Sequence, residues 1–372
     1  MEQSKSRDAS IDFMKGLAIV FMVMGHAGFP GTPFLSLFHM PVFFMISGYL
    51  WNDKNVKDLT TVKSFVLRKI KTLWLPFVQW NLIVLLCNNL FLALHFYTAD
   101  PALAMEAGNL SYHPFMGLRE MVKPILKTFF FRTDLELGGA TWFLGALFMI
   151  SLGHCLVRWL CVHLKFGQRL FYVISALIFI FVQLVCMRVP MPLHFMLIRA
   201  GFAYWAFLLG YWLKKAGEIK FTQVKSAFVW ITAFAVLMAG YLLKCQISVR
   251  GIYADNVFVY TLMTVAGWFF CRIPCQWFPE KCRLFINALG KNSISILLYH
   301  FLAFKAISYL YVWITDAPVD LVASFPVISP APRWLWIAYT LAGIGLSLLC
   351  GTIESKIKGA LFSLTRKKKV LL

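Results

Sequence analysis

The sequence predicts an all-α, polytopic membrane protein with about ten transmembrane helices and both termini in the cytoplasm. Three observations carry this: 60% of the 372 residues are hydrophobic, only 14% are charged, and apolar stretches of membrane-spanning length recur along the whole chain. A soluble domain carries about 25% charged residues. No soluble fold buries so much apolar surface, whereas a helix of ~20 apolar residues crosses about 30 Å of hydrocarbon. The bilayer is therefore the first partner. Lys plus Arg number 36 against 16 Asp plus Glu, a formal net charge of +20. In a soluble chain that balance would suggest nucleic acid; here it is what cationic cytoplasmic loops produce. No basic groove with interleaved aromatics lies outside the apolar stretches, so no nucleic-acid partner is expected.

Spans are predicted near 10–28, 34–51, 73–96, 139–163, 169–187, 194–213, 224–243, 254–272, 292–312 and 333–355. Arg7, Asp8, Asp12 and Lys15 run into the first stretch and no small-residue cleavage site follows, so the first helix is expected to stay in the mature protein. With the N-terminus inside, the basic runs Lys54–Lys71, Arg158–Arg169, Lys214–Lys225 and Arg272–Lys291 and the basic tail 356–372 all fall on the cytoplasmic side of the cell membrane. The outside keeps a sparser set, including Arg119, Lys123, Lys127, Arg132, Arg199 and Arg250, and Lys305 falls within a span. The chain reads as one membrane domain, 1–372, without internal repeats. Its longest extracytoplasmic loop, 97–137, holds Pro101, His113, Pro114, Pro124 and an amphipathic stretch from Phe115 to Phe131, read as a surface helix in the headgroups, with a substrate lid as the alternative.

Ionisable residues are costly in a membrane helix and mark function by default. Helix one carries Asp12, Lys15 and His26. Lys15 and His26 are eleven residues apart, which returns them to nearly the same face with about 16 Å between them along the axis, the reach of an extended pantetheine arm. Gly25 and Gly28 flank His26 and permit close approach of a backbone or ligand. Helix two carries Phe38-His39-Met40-Pro41 and then Ser47-Gly48-Tyr49. The connection between the two helices is short, so His39 is expected to approach His26 and form an imidazole pair suited to proton transfer. Asn81, Asn88 and Asn89 give helix three a polar face, for sugar hydroxyls or for interhelical bonds. Nine cysteines lie mostly in apolar segments, and Cys271, Cys275 and Cys282 lack paired spacing or a nearby histidine, so no metal site is predicted.

Asp12, the Lys15-to-His26 spacing, and Phe38-His39-Met40-Pro41 to Ser47-Gly48-Tyr49 resemble the membrane-bound acyltransferase 3 family, whose members include fucose 4-O-acetylase-like O-acetyltransferases. The basic stretch Arg68-Lys69-Ile70-Lys71 running to Pro76, the segment Trp142-Phe143-Leu144 and the segment Leu298-Tyr299-His300 agree, so the resemblance covers most of the chain. Lys15 stands where the family more often has arginine, and Thr72 where many relatives have another basic residue. Lysine holds a phosphate as a point charge rather than through a fork.

The resemblance implies an acyltransferase that uses acetyl-CoA or another acyl-CoA as co-substrate, with no bound cofactor, and a glycan or lipid-linked sugar as acceptor. Lys15, Arg68, Lys69 and Lys71 would hold the CoA phosphates on the cytoplasmic side. His26 would be the general base on the acceptor hydroxyl or a transiently acylated nucleophile, with His39 orienting it or relaying the proton. Asp12 completes the catalytic candidates; partnership with Lys15 or Arg7, or with the helix dipole, is its structural alternative. Ser47, Gly48, Trp142, Tyr299 and His300 are further site candidates. A proton-coupled transporter or flippase for a glycan precursor is the competing reading, with the histidines as coupling groups. A membrane glycosyltransferase is disfavoured because the stretch from Gly28 to Phe34 holds no acidic residue.

Overall fold

The computed structural model describes residues 9–132, 135–165, 167–187, 195–217 and 223–370. Lys5, Arg7, Asp8, Arg188 and Lys220, and the side chains from Leu361 onward, lie outside the described residues. In chain order the helices are α1 (Ala9–His26), α2 (Thr32–Ser36), α3 (His39–Tyr49), α4 (Leu59–Lys69), α5 (Leu75–Leu86), α6 (Asn88–Ala93), α7 (Pro101–Ala107), α8 (Leu118–Phe129) and α9 (Trp142–His163). They continue as α10 (Gly167–Cys186), α11 (Phe195–Lys215), α12 (Gln223–Leu242), α13 (Val257–Arg272), α14 (Glu280–Lys291), α15 (Ser293–Thr315) and α16 (Leu335–Val370). A two-residue hairpin, β1 (Ile247–Ser248) against β2 (Tyr253–Ala254), joins α12 to α13.

Eight of the described helices, α1, α9, α10, α11, α12, α13, α15 and α16, are long and apolar enough to cross a membrane. The stretches of the other two expected spans, 34–51 and 73–96, form broken helices, none of them long and apolar enough to be counted with these eight. The stretch 34–51 divides at Phe38 into α2 and the eleven-residue α3. The stretch 73–96 belongs to a longer rod that starts at Leu59, where Asp58 and Thr61 form a capping box. That rod passes through a π-helical turn, Ile70–Trp74, into α5 and breaks at Cys87. Pro76 lacks the N–H that an α-helix would use and crowds the carbonyl four residues back, so a wide turn just before it relieves the ladder.

Two glycine crossings set the core. Gly48 on α3 lies against the Phe207 carbonyl of α11 and Gly210 on α11 against the Met45 carbonyl of α3, so close that a Cβ on either would fall 1.9 Å from the facing oxygen. The same reciprocal arrangement joins α1 to α14, where Gly290 meets the Asp12 carbonyl and Gly16 the Ile286 carbonyl. Between helices in lipid, packing replaces the hydrophobic effect, and small residues let backbones approach.

Much of the amphipathic stretch forms α8, which packs against the α5 rod. The Asn89 side chain bonds Met116 at both ends of its amide (2.8 and 3.0 Å), and Trp74 Nε1 donates to the Phe129 carbonyl (3.2 Å), so α8 runs back antiparallel along α5. The chain then returns past Phe77 and Asn81, whose Nδ2 donates to Thr141 Oγ1 (3.0 Å). The polar face of helix three thus serves interhelical bonding: it anchors this hairpin.

At the far side of the site, the segment 319–327 forms a roof. Lys305, buried on α15, donates to the carbonyls of Val322 (2.8 Å) and Ser324 (2.9 Å), and Phe325 packs on Phe301. At the opposite end Asp53 accepts from Trp51 Nε1 (2.9 Å), Arg158 Nε (3.2 Å) and Lys215 Nζ (2.6 Å). Burial works to raise the Asp53 carboxyl, but the hydrogen bonds from Lys215 and Trp51 and the Arg158 charge outweigh it and hold the group below the usual carboxylate range.

Gly210→Val is expected to lower thermal stability in detergent by about 1–3 kcal/mol or abolish folding, since the added atoms meet backbone. Asp53→Asn is expected to lower the unfolding temperature at neutral pH, by ~1 kcal/mol for so accessible a carboxylate. A depressed carboxylate contributes fully above its unfolded value and loses the contribution as pH falls through its folded value. The gap between wild type and Asp53→Asn should therefore close only in acid, below the ordinary carboxylate range.

Candidate active site

His26 ends α1 and faces α15, where its Nδ1 lies 3.0 Å from Nε2 of His300. The rings are stacked within 11° and share a neighbour in Phe301. The helix backbone fixes which nitrogen carries the proton. His300 Nδ1 stands 3.0 Å from the Ile296 carbonyl and 3.1 Å from the Leu297 carbonyl. Carbonyls only accept, so in the neutral pair His300 Nδ1 is the donor and its Nε2 the acceptor. His26 Nδ1–H then donates to His300, and the lone pair of His26 sits on Nε2. An imidazole held in one tautomer by a second group is the arrangement of an oriented general base.

His26 lines a cavity of about 140 Å³ together with Ser36, His39, Trp142, Arg250 and Leu297. His39 is the expected partner of His26, but the structure gives that place to His300. The helical turn α2 intervenes between the two histidines, and His39 Nδ1 donates to the Leu35 carbonyl (2.7 Å) one turn before it. His39 therefore shares the cavity, with its own Nε2 lone pair, rather than the hydrogen bond.

Two further cavities flank this one. A pocket of about 350 Å³ is lined by Lys15, Arg68 and Lys69 at its polar part, with Ser47, Asn55 and Ser293, and by Phe43, Leu73, Phe143 and Leu147 along its apolar part. Leu297 is a wall of both this pocket and the His26 cavity. On the other side a vestibule of about 670 Å³ is lined by Lys127, Arg132, Arg199, Arg250 and Glu136, and it shares Trp142 and Arg250 with the His26 cavity. Three spaces thus lie in series, with His26 on the wall of the middle one.

Arg250 is placed by Arg199. The largely buried Arg199 lies over the rings of Phe195 (4.5 Å) and Trp142 (5.2 Å) and donates to the Arg250 carbonyl from Nε (3.0 Å) and Nη2 (2.8 Å). A planar fork on one carbonyl fixes that backbone from two directions. Sequence reasoning counted both arginines only as outer charges. The usable signal was Arg199 inside an apolar span, and the short α12–α13 link that carries Arg250 beside Gly251.

The remaining candidates divide. Trp142 lines both the vestibule and the His26 cavity, and Ser47 lines the basic pocket while its Oγ donates to the Phe43 carbonyl (3.0 Å). Gly48 faces away, in the α3–α11 crossing. Lys71 is exposed outside the basic pocket, because residues two apart on a helix point about 200° apart and Lys69 takes the inward direction. Tyr299 donates to Glu354 (2.8 Å) and packs edge-on to Trp80, outside all three spaces. Asp12 does not reach the imidazoles. It is buried at the α14 crossing with Lys15 Nζ 3.9 Å from its carboxylate, and fourteen residues of α1, roughly 21 Å, separate it from His26. Among the described residues no group of three or more His, Cys, Asp or Glu side chains is placed to hold a metal ion.

A bundle of apolar helices, eight of the described ones long enough to cross a membrane, holds a tautomer-fixed imidazole pair beside a basic pocket, which is the architecture of an integral membrane protein. Residues 8–352 match the model of the acyltransferase 3 family, an acyltransferase domain, and the chain belongs to that family. It is a membrane acyltransferase. Comparison with curated proteins and with solved structures gave no match.

His300→Phe keeps a ring of similar size but leaves the His26 Nδ1–H without its acceptor. It is expected to lower stability by about 1–3 kcal/mol, read as a lower unfolding midpoint in detergent.

Proposed function

We propose that the protein transfers an acetyl or other short acyl group from acyl-CoA, entering on the cytoplasmic side, to a hydroxyl of an extracytoplasmic or lipid-linked glycan. The observation that carries this reading is the series of three cavities with His26 in the middle one. In this reading the chain crosses the cell membrane ten times with both termini inside, α3 and the α4–α5 rod serving as the two crossings that α1 and α9 enclose.

The CoA phosphates would lie at Lys15, Arg68 and Lys69. Arg68 supplies the guanidinium fork that Lys15 lacks, and it is already steadied by Asn55 (3.1 Å). The pantetheine arm follows the apolar part of the pocket for the ~16 Å that separates Lys15 from His26 along α1, and the thioester passes Leu297. The acceptor hydroxyl arrives from the vestibule. His26 Nε2 takes its proton as the oxygen attacks the thioester carbonyl. The C–O bond forms, the C–S bond breaks, and the CoA sulfur leaves with the proton that His26 returns. His300 stabilises the transient imidazolium by accepting from its Nδ1. The Arg250 guanidinium, on the wall of the same cavity, would offset the negative charge that grows on the carbonyl oxygen.

Purified protein in liposomes with radiolabelled acetyl-CoA is expected to release CoA and pass label to a glycan, and His26→Ala to lower that rate by about 10²–10⁴. Neither CoA binding nor CoA release by the wild type would refute the reading. Lys15→Ala combined with Arg68→Ala is expected to raise KM for acetyl-CoA roughly tenfold while kcat changes little, since the phosphates bind equally in ground and transition states.

A further inference from the structure

Serine and threonine inside apolar helices turn the hydroxyl back to the carbonyl four residues earlier. Ser47 bonds Phe43 (3.0 Å), Ser175 bonds Phe171 (2.8 Å), Thr264 bonds Tyr260 (2.6 Å) and Thr340 bonds Trp336 (2.8 Å). Ser151 on α9 is buried and makes no such bond: its Oγ has no hydrogen-bond partner among the described residues. Leu144, Leu147 and Ser151 recur at steps of three and four residues, so they share the face of α9 that lines the basic pocket. Ser347 on α16 is left without a partner in the same way, but it lines none of the three spaces in series.

A buried hydroxyl without a partner is a standing cost to the fold. The apolar part of the pocket, with Phe43, Phe143, Leu144, Leu147 and Phe207, offers it no side-chain donor or acceptor. An amide drawn into that part would leave its water behind and need what Ser151 can give, because a hydroxyl donates to a carbonyl and accepts from an N–H. A phosphate would not suit the place, since the cations that neutralise one, Lys15, Arg68 and Lys69, line the polar part. Nine residues of α9, roughly 13 Å, carry Ser151 away from Trp142 on the wall of the His26 cavity, toward the end where Arg158 meets Asp53. That is most of the ~16 Å between Lys15 and His26. Ser151 therefore stands toward the phosphate end of an extended arm, far from the thioester.

We propose that Ser151 is a recognition residue for the acyl-CoA arm, its hydroxyl bonding the pantoyl amide where that amide lies in the apolar part of the basic pocket. The proposal rests on the acyl-CoA reading and deepens it: the donor is held by its arm as well as by its phosphates. No covalent step is involved. The hydroxyl costs the free protein stability and recovers it once the arm is in place. A thioester whose arm lacks the amide leaves the hydroxyl unpaired and is disfavoured for that reason.

The test uses the full chain in detergent, with CoA and adenosine 3′,5′-bisphosphate as probes; the second carries phosphates and base but no arm. Ser151→Ala is expected to weaken CoA binding about three- to tenfold, the range of one hydrogen bond, and to leave binding of the bisphosphate unchanged. Because this variant removes an unsatisfied group, its unfolding temperature without ligand should rise above that of the wild type. Lys15→Ala combined with Arg68→Ala should instead weaken both probes. The proposal is overturned if Ser151→Ala binds CoA as tightly as the wild type, if it weakens both probes alike, or if it unfolds at a lower temperature, which would mark the hydroxyl as a structural partner. Wild-type protein that binds neither probe would refute the acyl-CoA reading itself, and the proposal with it.

Discussion

The hydrogen bond between His26 and His300 depends on two carbonyl oxygens that already belong to a helix. Ile296 and Leu297 each have a second lone pair, and His300 Nδ1 takes its acceptor from their side of α15. In a membrane interior, where backbone polar groups have no water to turn to, such internal acceptors are the only ones available. The direction of every proton in the pair follows: His300 faces its own backbone, His26 faces His300, and the lone pair left over faces the cavity. The shape of the bundle around that pair, including the glycine crossings that draw α3 and α14 inward, keeps two side chains from distant parts of the chain within 3.0 Å.

Helix α1 links this centre to the basic pocket. Lys15 and His26 stand on one rod, so the distance between the basic pocket and the imidazole is set by helical rise and does not depend on loop packing. On the far side the link is indirect. Arg250 sits on a short connection that would be free to move, and the Arg199 fork on its carbonyl takes the place of a rigid element. The two approaches also differ in lining: the first combines Lys15, Arg68 and Lys69 with a long apolar part, while the second brings Arg250 up to the His26 cavity.

Much of this was legible in the sequence because it rests on local periodicity. The Lys15–His26 spacing, the basic run at Arg68 and Lys69, and the Leu298-Tyr299-His300 segment each name residues that the structure brings to the site or beside it. What the sequence could not show was long-range choice. His39 is thirteen residues from His26 and His300 is 274 away, yet the distant residue makes the bond, because α2 turns the near one toward its own backbone. The resemblance implied both Lys69 and Lys71 at the phosphates, whereas the structure lines the pocket with Lys69 and leaves Lys71 exposed outside it. Periodicity could not reveal that an amphipathic stretch, typical of a surface helix, folds back along α5, since the bonds that hold it come from Asn89 and Trp74 on another element.

Lys305 brings the roof and the imidazoles into one rigid piece. Its ammonium is fully enclosed by α15 and the Val322 and Ser324 carbonyls, five residues along the same helix from His300, and Phe325 rests on the ring that packs against His26. A covering fastened in this way is not a hinged door: lifting it would expose an ammonium group and strip it of both acceptors. The segment 319–327 is thereby a fixed ceiling over the ring that packs against His26.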